Sequence, residues 1–459
     1  MTLAHYSGIF LVLFLITALG LYSGSRVKSA GDFSSGGRKA GAGLVAGAVI
    51  GTLAGGASTI GTAQLAFIHG FSAWWFTLGG GLGCLILAIC YAKALHTSGV
   101  STLPQMLAAE YGRKVATAAS LLTSLGSFLS IVSQVLSAIA LITSVSGLSS
   151  LPATLIAVLL MTCYVMFGGI FGAGIVGMAK TLLLFSLTVV CGLMALYLQG
   201  GWSSLASALP PEGSFGLTAR GLPVDVGAGL SLVLGVITTQ AYIQAVISAR
   251  TLRLAKSGLF LSAALIPVIG IAGILVGLYM RVHMPDINPA GALPVFVLEH
   301  MPPLVAGMAL GTLLITVAGS AAGVALGLSS MFCADIYRVY FNPAARDKTL
   351  LFVSRAAIAC IFAAAALISA GNMGSLILGW SFMSMGLRGA VAFGALTAAV
   401  YIPGRVSASC ALCSMFVGPL CILLGKPFIG GLLDPLFPGV AGSLIVLLIG
   451  YFRGVRRNA

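Results

Sequence analysis

Two cations stand inside stretches too apolar to hold them cheaply. Lys180 lies in the run from 164 to 197, YVMFGGIFGAGIVGMAKTLLLFSLTVVCGLMALY. That run outlasts the roughly 20 residues needed to cross a bilayer. No acid lies within a helical turn of the lysine. An ammonium at that depth costs roughly 2.5–3.5 kcal/mol on insertion scales, and such charges usually face a bundle interior or a wet cavity. A lysine near a span end could instead snorkel to the headgroups, but Lys180 is well inside the run. Arg388, in Ser384-Met-Gly-Leu-Arg388-Gly-Ala, is the second intramembrane cation. Its guanidinium keeps its charge when buried and grips carboxylates bidentately. It can contact an anionic solute or close an outer gate; equally, it can staple a neighbouring helix through backbone carbonyls. Two buried cations without a buried acid tilt the expected solute toward an anion.

Other chemistry is thinly represented. The nine cysteines are scattered through apolar runs and read as small buried hydrophobes. Cys410-x-x-Cys413 resembles a metal or redox pair only in spacing, since it lies in an expected span without histidines nearby. No metal-ligand cluster and no mid-membrane nucleophile with a base is visible, so no metal is expected beyond a sodium ion, and no other cofactor. Trp74, Trp75 and Trp380 fit packing or interfacial belts better than a ring-stacking sugar site, and His69 reads as interfacial.

These groups must be positioned by membrane helices. The 459 residues are 59% hydrophobic and 7% charged, against about a quarter charged in an ordinary soluble domain. Hydropathy gives an all-α integral membrane protein with about thirteen spans, near 5–24, 41–69, 71–95, 115–147, 149–168, 172–199, 226–249, 257–281, 304–333, 350–370, 374–402, 407–425 and 437–452. The first apolar run lacks a basic flank and a cleavage site, so it is read as a retained span. The net charge of +14 follows from loops rather than from a nucleic-acid surface. Arg26, Lys28, Arg38, Lys39, Lys93, Arg113, Lys114, Arg250, Arg253, Lys256, Arg338, Arg346, Lys348, Arg355, Arg405, Arg453, Arg456 and Arg457 fall on one side. Arg220, Arg281 and Lys426 fall on the other. The positive-inside rule then puts the N-terminus outside and the C-terminus in the cytoplasm of a plasma (inner) membrane. Residues 101–110 read as a surface helix capped by Ser101 or Thr102. The loops 200–225 and 282–303 have room for short lid helices.

Two spans are interrupted. Gly51-Thr-Leu-Ala-Gly-Gly-Ala-Ser-Thr-Ile-Gly-Thr-Ala-Gln64 places Ala54, Gly55, Gly56, Ser58 and Thr59 where a helix interior should be. Irregular backbone at membrane depth is tolerated only against protein or water. It exposes carbonyls to cations and amides to anions in secondary transporters. The same residues could instead form a close-packing face. Gly235-Val-Ile-Thr238-Thr239-Gln240-Ala-Tyr242-Ile-Gln244 is the counterpart in the seventh span. Two halves that each open with an interrupted helix are expected of inverted repeats. The expected division is 1–40 for an extra helix and loop, 41–199 for the first repeat, 200–225 for an outer loop, 226–402 for the second repeat, and 403–459 for two further helices and a basic tail.

The chain resembles the sodium/solute symporter family. The resemblance rests on Ala57-Ser-Thr-Ile-Gly-Thr-Ala-Gln64 with His69-Gly-Phe-Ser-Ala-Trp-Trp75, on Thr102-Leu-Pro-Gln-Met-Leu with Tyr111-Gly112, on Gly168-Gly169-Ile170, on Gln244 with Ala249-Arg250, and on Asp335-Ile-Tyr337. It implies the leucine-transporter-type fold, a 5+5 inverted-repeat core with one extra N-terminal and two extra C-terminal helices. It also implies a sodium site between core helices 1 and 8. Counting from Asp335, the core-8 positions fall on Thr316, Gly319 and Ser320, and the core-1 carbonyls on Gly51 and Ala54. Ser320 keeps one of the family's hydroxyls; Gly319 lacks the other. A second family sodium site would need oxygens at Ala322, Gly323 and Gly177, and all are missing. Lys180 stands where the family often has a glutamine, at the level of the sodium site. In some proton-coupled carriers of this fold a helix-5 lysine takes the ion's place, so Lys180 is expected to do so here and to couple transport to protons or exchange.

The resulting expectation is a secondary active transporter of a small organic solute working by alternating access. The solute would lie among Gly55, Gly56, Ser58, Thr59, Gln64, Thr238, Thr239, Gln240, Tyr242 and Arg388. A sodium-coupled symporter with one degenerate site and a transporter-like solute sensor are the alternatives. Neither an enzyme nor a channel fits the polar residues present. Lipid is the surrounding partner and nucleic acid is not expected.

Overall fold

The computed structural model describes residues 1–24, 38–429 and 433–458; the side chains of 20–24, 166–176, 426–427, 429 and 453–458 are left aside. The basic residues Arg26 and Lys28, the side chains of the Gly168-Gly169-Ile170 motif and those of Lys426, Arg453, Arg456 and Arg457 therefore lie outside what is described. Apolar composition and internally satisfied hydrogen bonds make helix the element of nearly every described segment. Helix α1 spans Leu3–Gly24. The first broken helix is α2, Ala42–Leu53, followed by a π turn at Ala57–Gly61 and α3, Thr62–His69. Next come α4, Trp75–Ile86, α5, Ala92–Thr97, the short α6, Leu103–Tyr111, and α7, Arg113–Ser146. The long α8, Ser150–Leu198, precedes α9, Trp202–Ala208. The second half begins with the broken pair α10, Leu222–Thr238, and α11, Gln240–Ser248. It continues through α12, Leu252–His283, α13, Ala292–His300, α14, Pro303–Met331, α15, Asp347–Ala370, and α16, Ile377–Tyr401. Helices α17, Ala408–Ile429, and α18, Leu436–Asn458, close the chain.

Among the described residues, 8 helices are long and apolar enough to cross a membrane, or 9 with the bent pair Leu222–Thr238 and Gln240–Ser248 taken as one. Four further apolar segments are shorter, Leu3–Leu19, Ala42–Leu53, Ser150–Val165 and Leu436–Phe452. Thirteen passages therefore remain a reading of the sequence. The turn expected between the fifth and sixth spans is helical backbone instead, because α8 runs through 166–176. At about 1.5 Å per residue its length is more than twice a bilayer core. Its apolar blocks, Ser150–Val165 and Gly177–Leu198, correspond to the two expected spans.

Cross-contacts sort the connections into two ends. At one end Ala40 pairs with Ala249 in an isolated parallel bridge, His96 Nε2 meets the Ala249 carbonyl at 3.0 Å, and Thr117 Oγ1 meets Tyr340 Oη at 2.8 Å. The Gly404 N–H donates to Glu110 there too. Most of the basic loops are at this end. At the other end Trp75 Nε1 donates to the Leu217 carbonyl at 2.6 Å, and Arg220 pairs with Asp225 at 2.6 Å. Gly70 is required in the outer turn after α3: its φ is +63°, and a Cβ there would lie 2.1 Å from the Ser214 carbonyl oxygen.

A candidate cation and solute site at the broken helices

Glycines bring α2 and α8 together. A Cβ on Gly47 would lie 2.8 Å from Met178 N, one on Gly51 3.1 Å from Gly177 Cα, and one on Gly177 2.7 Å from the Gly47 carbonyl oxygen. Small residues spaced by four permit this backbone approach. The approach delivers Lys180, only 2% exposed, to the carbonyl end of α2. The Lys180 ammonium donates to the Gly51 carbonyl, to the Thr316 carbonyl at 3.3 Å, and to Ser320 Oγ at 3.3 Å. Ser320 in turn donates to the Gly51 carbonyl at 2.9 Å. Gly319 leaves room for the ammonium, since a Cβ there would lie 3.0 Å from Nζ. Thus Lys180, Gly51, Thr316, Gly319 and Ser320 are brought together. Ala54 is not bonded to the lysine; it ends α2 at φ −78° and ψ 77°, with its amide on the Ile50 carbonyl. The carbonyl terminus of a half-helix carries partial negative charge, so a cation belongs there. The positions of the second family site hold packing instead: Ala322 is buried, and a Cβ on Gly323 would meet Thr52 Oγ1 at 2.6 Å.

Beyond Gly51 the first break is held from both sides. Ser58 and Thr59 donate to the Gly55 carbonyl at 2.9 and 2.8 Å. The Gly56 amide donates to Gln134 Oε1 of α7 at 2.8 Å. Any Cβ on Gly56 would lie 2.2 Å from Ser137 Cβ, so only glycine permits this approach to α7. Gln134, 3% exposed, was not singled out by sequence reasoning. Its signal is a polar face on the fourth expected span, where Ser127, Ser130, Gln134 and Ser137 recur at helical spacing.

The second break is Thr239, extended at φ −82° and ψ 123° between α10 and α11, which bend by 47°. Thr238 donates to the Leu234 carbonyl at 2.8 Å, and Thr239 to the Gly235 carbonyl at 2.5 Å. Arg388 of α16, 1% exposed, reaches this break: Nη1 donates to Thr239 Oγ1 at 2.7 Å, Nη2 to Ser384 Oγ at 2.9 Å, and Nε to the Ser384 carbonyl at 3.2 Å. The guanidinium stem packs on Gly126 of α7, where a Cβ would lie 2.6 Å from Arg388 Cγ. Gly126 and Gln134 share α7, about 12 Å apart along its axis at 1.5 Å per residue, so one helix serves both breaks. Tyr242 is fully buried near Arg388.

Two expected solute contacts are engaged elsewhere. Gln240 accepts from the Leu103 N–H at 2.8 Å and donates to the Ser101 carbonyl at 3.0 Å, tying α11 to the start of α6. Gln64 Oε1 accepts from the Ile377 N–H at 3.0 Å, closing α3 onto the start of α16. Trp74 and Trp380 pack as expected, with indoles on the Pro267 carbonyl and Ser375 Oγ.

Residues 33–418 match the model of the Sodium:solute symporter family. The chain belongs to that family. Its similarity extends to the human High affinity choline transporter 1 (Homo sapiens), at 25% identity over 87% of this chain and 73% of that protein. A solved Na+-coupled sialic acid symporter, in a substrate-bound outward-open state, superposes with a TM-score of 0.80 at 21% identity over 99% of this chain and 98% of that one. A nucleobase-cation-symport-1 family transporter in a closed conformation gives 0.61 at 14% identity over 93% and 95%. The symporter family, with these fold neighbours, makes the protein a secondary transporter of the leucine-transporter type rather than an enzyme. The family points to Na+ as the customary coupling ion and to a small-molecule solute.

Proposed function

We propose that this carrier moves a small organic anion by alternating access, with the Lys180 ammonium standing where family members hold sodium. The observation that carries the reading is the ammonium's set of acceptors: the Gly51 and Thr316 carbonyls and the Ser320 hydroxyl. A sodium ion uses oxygens of the same kind, and Gly319 supplies space rather than a further oxygen. A lysine can release and rebind its proton during the cycle, whereas one that stays charged leaves no ion to couple and permits only exchange of solutes. Coupling is therefore to protons or to exchange. The solute is proposed to bind beside the breaks, among Ser58, Thr59, Thr238, Thr239, Tyr242 and Arg388, all buried there. Arg388 gives that place positive charge, and a bidentate grip on a carboxylate would replace its bonds to Ser384 and Thr239. That charge repels choline, the cation named for the human relative, and agrees with the carboxylate of sialic acid, the solute of the structural neighbour. Positive-inside asymmetry places the N-terminus outside and the end bearing Arg250, Arg338 and Arg405 in the cytoplasm of the inner membrane.

Purified protein in liposomes tests the reading. A thermal-shift screen of organic acids, amino acids and sugars selects the solute, and labelled uptake follows in sodium-free buffer. Uptake driven by an inward proton gradient, or by preloaded unlabelled solute, is expected. Uptake that requires sodium would overturn the lysine assignment and favour the second reading, a sodium symporter using Thr316 and Ser320. The retained Ser320 hydroxyl is what speaks for that alternative.

A further inference from the structure

We propose that Gln134 is a positioning residue for transport, the second jaw of a clamp across the first helix break whose first jaw is Lys180. The inference deepens the carrier reading and rests on it. At the break the chain presents two unlike ends. Residue Gly51, at the close of α2, offers a carbonyl, and Lys180 with Ser320 holds it. Residue Gly56, at the start of the following half, offers an amide, and Gln134 Oε1 holds it at 2.8 Å. A half-helix is negative at its carbonyl end and positive at its amide end, so the ammonium and the carboxamide oxygen each meet the end of opposite sign. Between the jaws Gly55 has no room to move sideways: a Cβ on it would lie 2.6 Å from Gln134 Oε1 and 2.6 Å from Ser320 Cβ.

Every holding group comes from helices α7, α8 and α14, and every held group from the broken helix. The clamp therefore acts between the two bodies that must rock in alternating access, and opening it requires both jaws to let go. There is also a consequence for the solute. The amide that a broken helix commonly offers an anionic group is already bonded to protein at Gly56. A solute carboxylate is thereby directed to Arg388. Gln134 sets this partition by holding the Gly56 amide.

The test reads opening of the break without needing the solute. Ser58→Cys, in purified protein in detergent, is reacted with a charged methanethiosulfonate reagent, and the adduct at position 58 is quantified by peptide mass spectrometry. Adding Gln134→Met, which keeps the stem but loses the acceptor, should raise the labelling rate at least tenfold. Adding Gln134→Glu, which restores an acceptor oxygen, should return it to within threefold of the reference; a general loss of packing would not be rescued this way. Gln134→Leu serves as the second acceptor-free variant if the methionine form is not recovered folded. Unchanged labelling in the acceptor-free variants, or labelling by the glutamate form as fast as theirs, overturns the clamp. Lys180→Met separates the two ideas. If it leaves labelling unchanged while Gln134→Met raises it, Lys180 is no jaw and the Gln134 jaw stands alone; a sodium requirement in uptake, by contrast, would sink the lysine reading and leave the Gln134 result untouched.

Discussion

The tightest constraint on function sits at one atom, the Lys180 nitrogen. It lies 3.0 Å from where a Gly319 Cβ would be, so a side chain at 319 would require the ammonium to shift by a few tenths of an ångström. On the proposed reading, these two positions decide between an ammonium and a metal ion. Lys180→Ala together with Gly319→Ser leaves the Gly51 and Thr316 carbonyls and Ser320 Oγ in place and adds a hydroxyl. We expect this double variant to be stabilised by sodium and the unaltered protein not to be. With a Kd near 1 mM, 100 mM NaCl would add about 2.7 kcal/mol, visible as a melting shift against KCl. Sodium stabilisation of the unaltered protein, lost in Ser320→Ala, would reverse the assignment. Arg388→Gln is expected to abolish binding of carboxylates, and unchanged affinity would make the guanidinium a staple between α10 and α16. The charges at 180 and 388 are legible in the sequence because the bilayer makes every unpaired charge conspicuous. Gln134 is not, because a neutral amide on a serine-rich face looks like any packing surface until the partner backbone is seen. Gln64 and Gln240 mislead for the same reason: sequence shows that an amide is buried but not which amide or carbonyl it meets.

At the scale of elements, the breaks depend on glycine for space. Gly56→Ala should drive Ser137 and α7 off the broken helix, with loss of folded protein in detergent. Ser137→Gly removes the colliding atoms and should restore it; a failed rescue would show that the glycine serves backbone freedom instead. The turn before α18 makes a different prediction. Asp434 packs where a Gly227 Cβ would lie 2.2 Å away, and its Oδ1 accepts from the Leu436 N–H at 2.8 Å. Burial raises its carboxyl above the usual value, against the Leu436 N–H and the Arg220 charge, which lower it. A carboxyl raised on folding stabilises fully below its unfolded pKa, and the contribution fades as pH rises through the folded value. Asp434→Asn should therefore raise the melting temperature at pH 7 and leave it unchanged below pH 4. The reverse pattern would mean that Arg220 dominates. Helix positions were readable from hydropathy because lipid leaves the backbone few alternatives. The helical connection inside α8 was not, since apolar runs separated by glycines look alike whether the chain turns or continues.

For the whole molecule, cross-ties are present at both ends. At the basic end Gln240 bonds Ser101 and Leu103, Thr102 donates to Asp335 at 3.5 Å, and Tyr91 meets Thr397 at 2.8 Å. At the far end Arg220 pairs with the fully buried Asp225 at 2.6 Å. Its guanidinium also lies 5.4 Å over the Phe382 ring, which meets Phe76 edge-on at 5.6 Å. That stack joins an outer loop, α10, α16 and α4, elements from both sides of the bundle. Removing Arg220 leaves the buried Asp225 carboxylate unpaired, at a cost of up to about 3–5 kcal/mol, and the part of it relieved when water reaches the far end moves the open–closed equilibrium. Arg220→Gln should accordingly populate the form open at the far end. A thiol introduced at Ser381, next to Phe382, should then label faster, while one at Ser101 labels no faster than in the parent. Removing both charges with Arg220→Gln and Asp225→Asn leaves no buried unpaired carboxylate, so labelling should fall back toward the parent. If both thiols speed up together, the pair holds the fold rather than one gate, because a carrier that opens at one end while the other stays tied cannot expose the two at once.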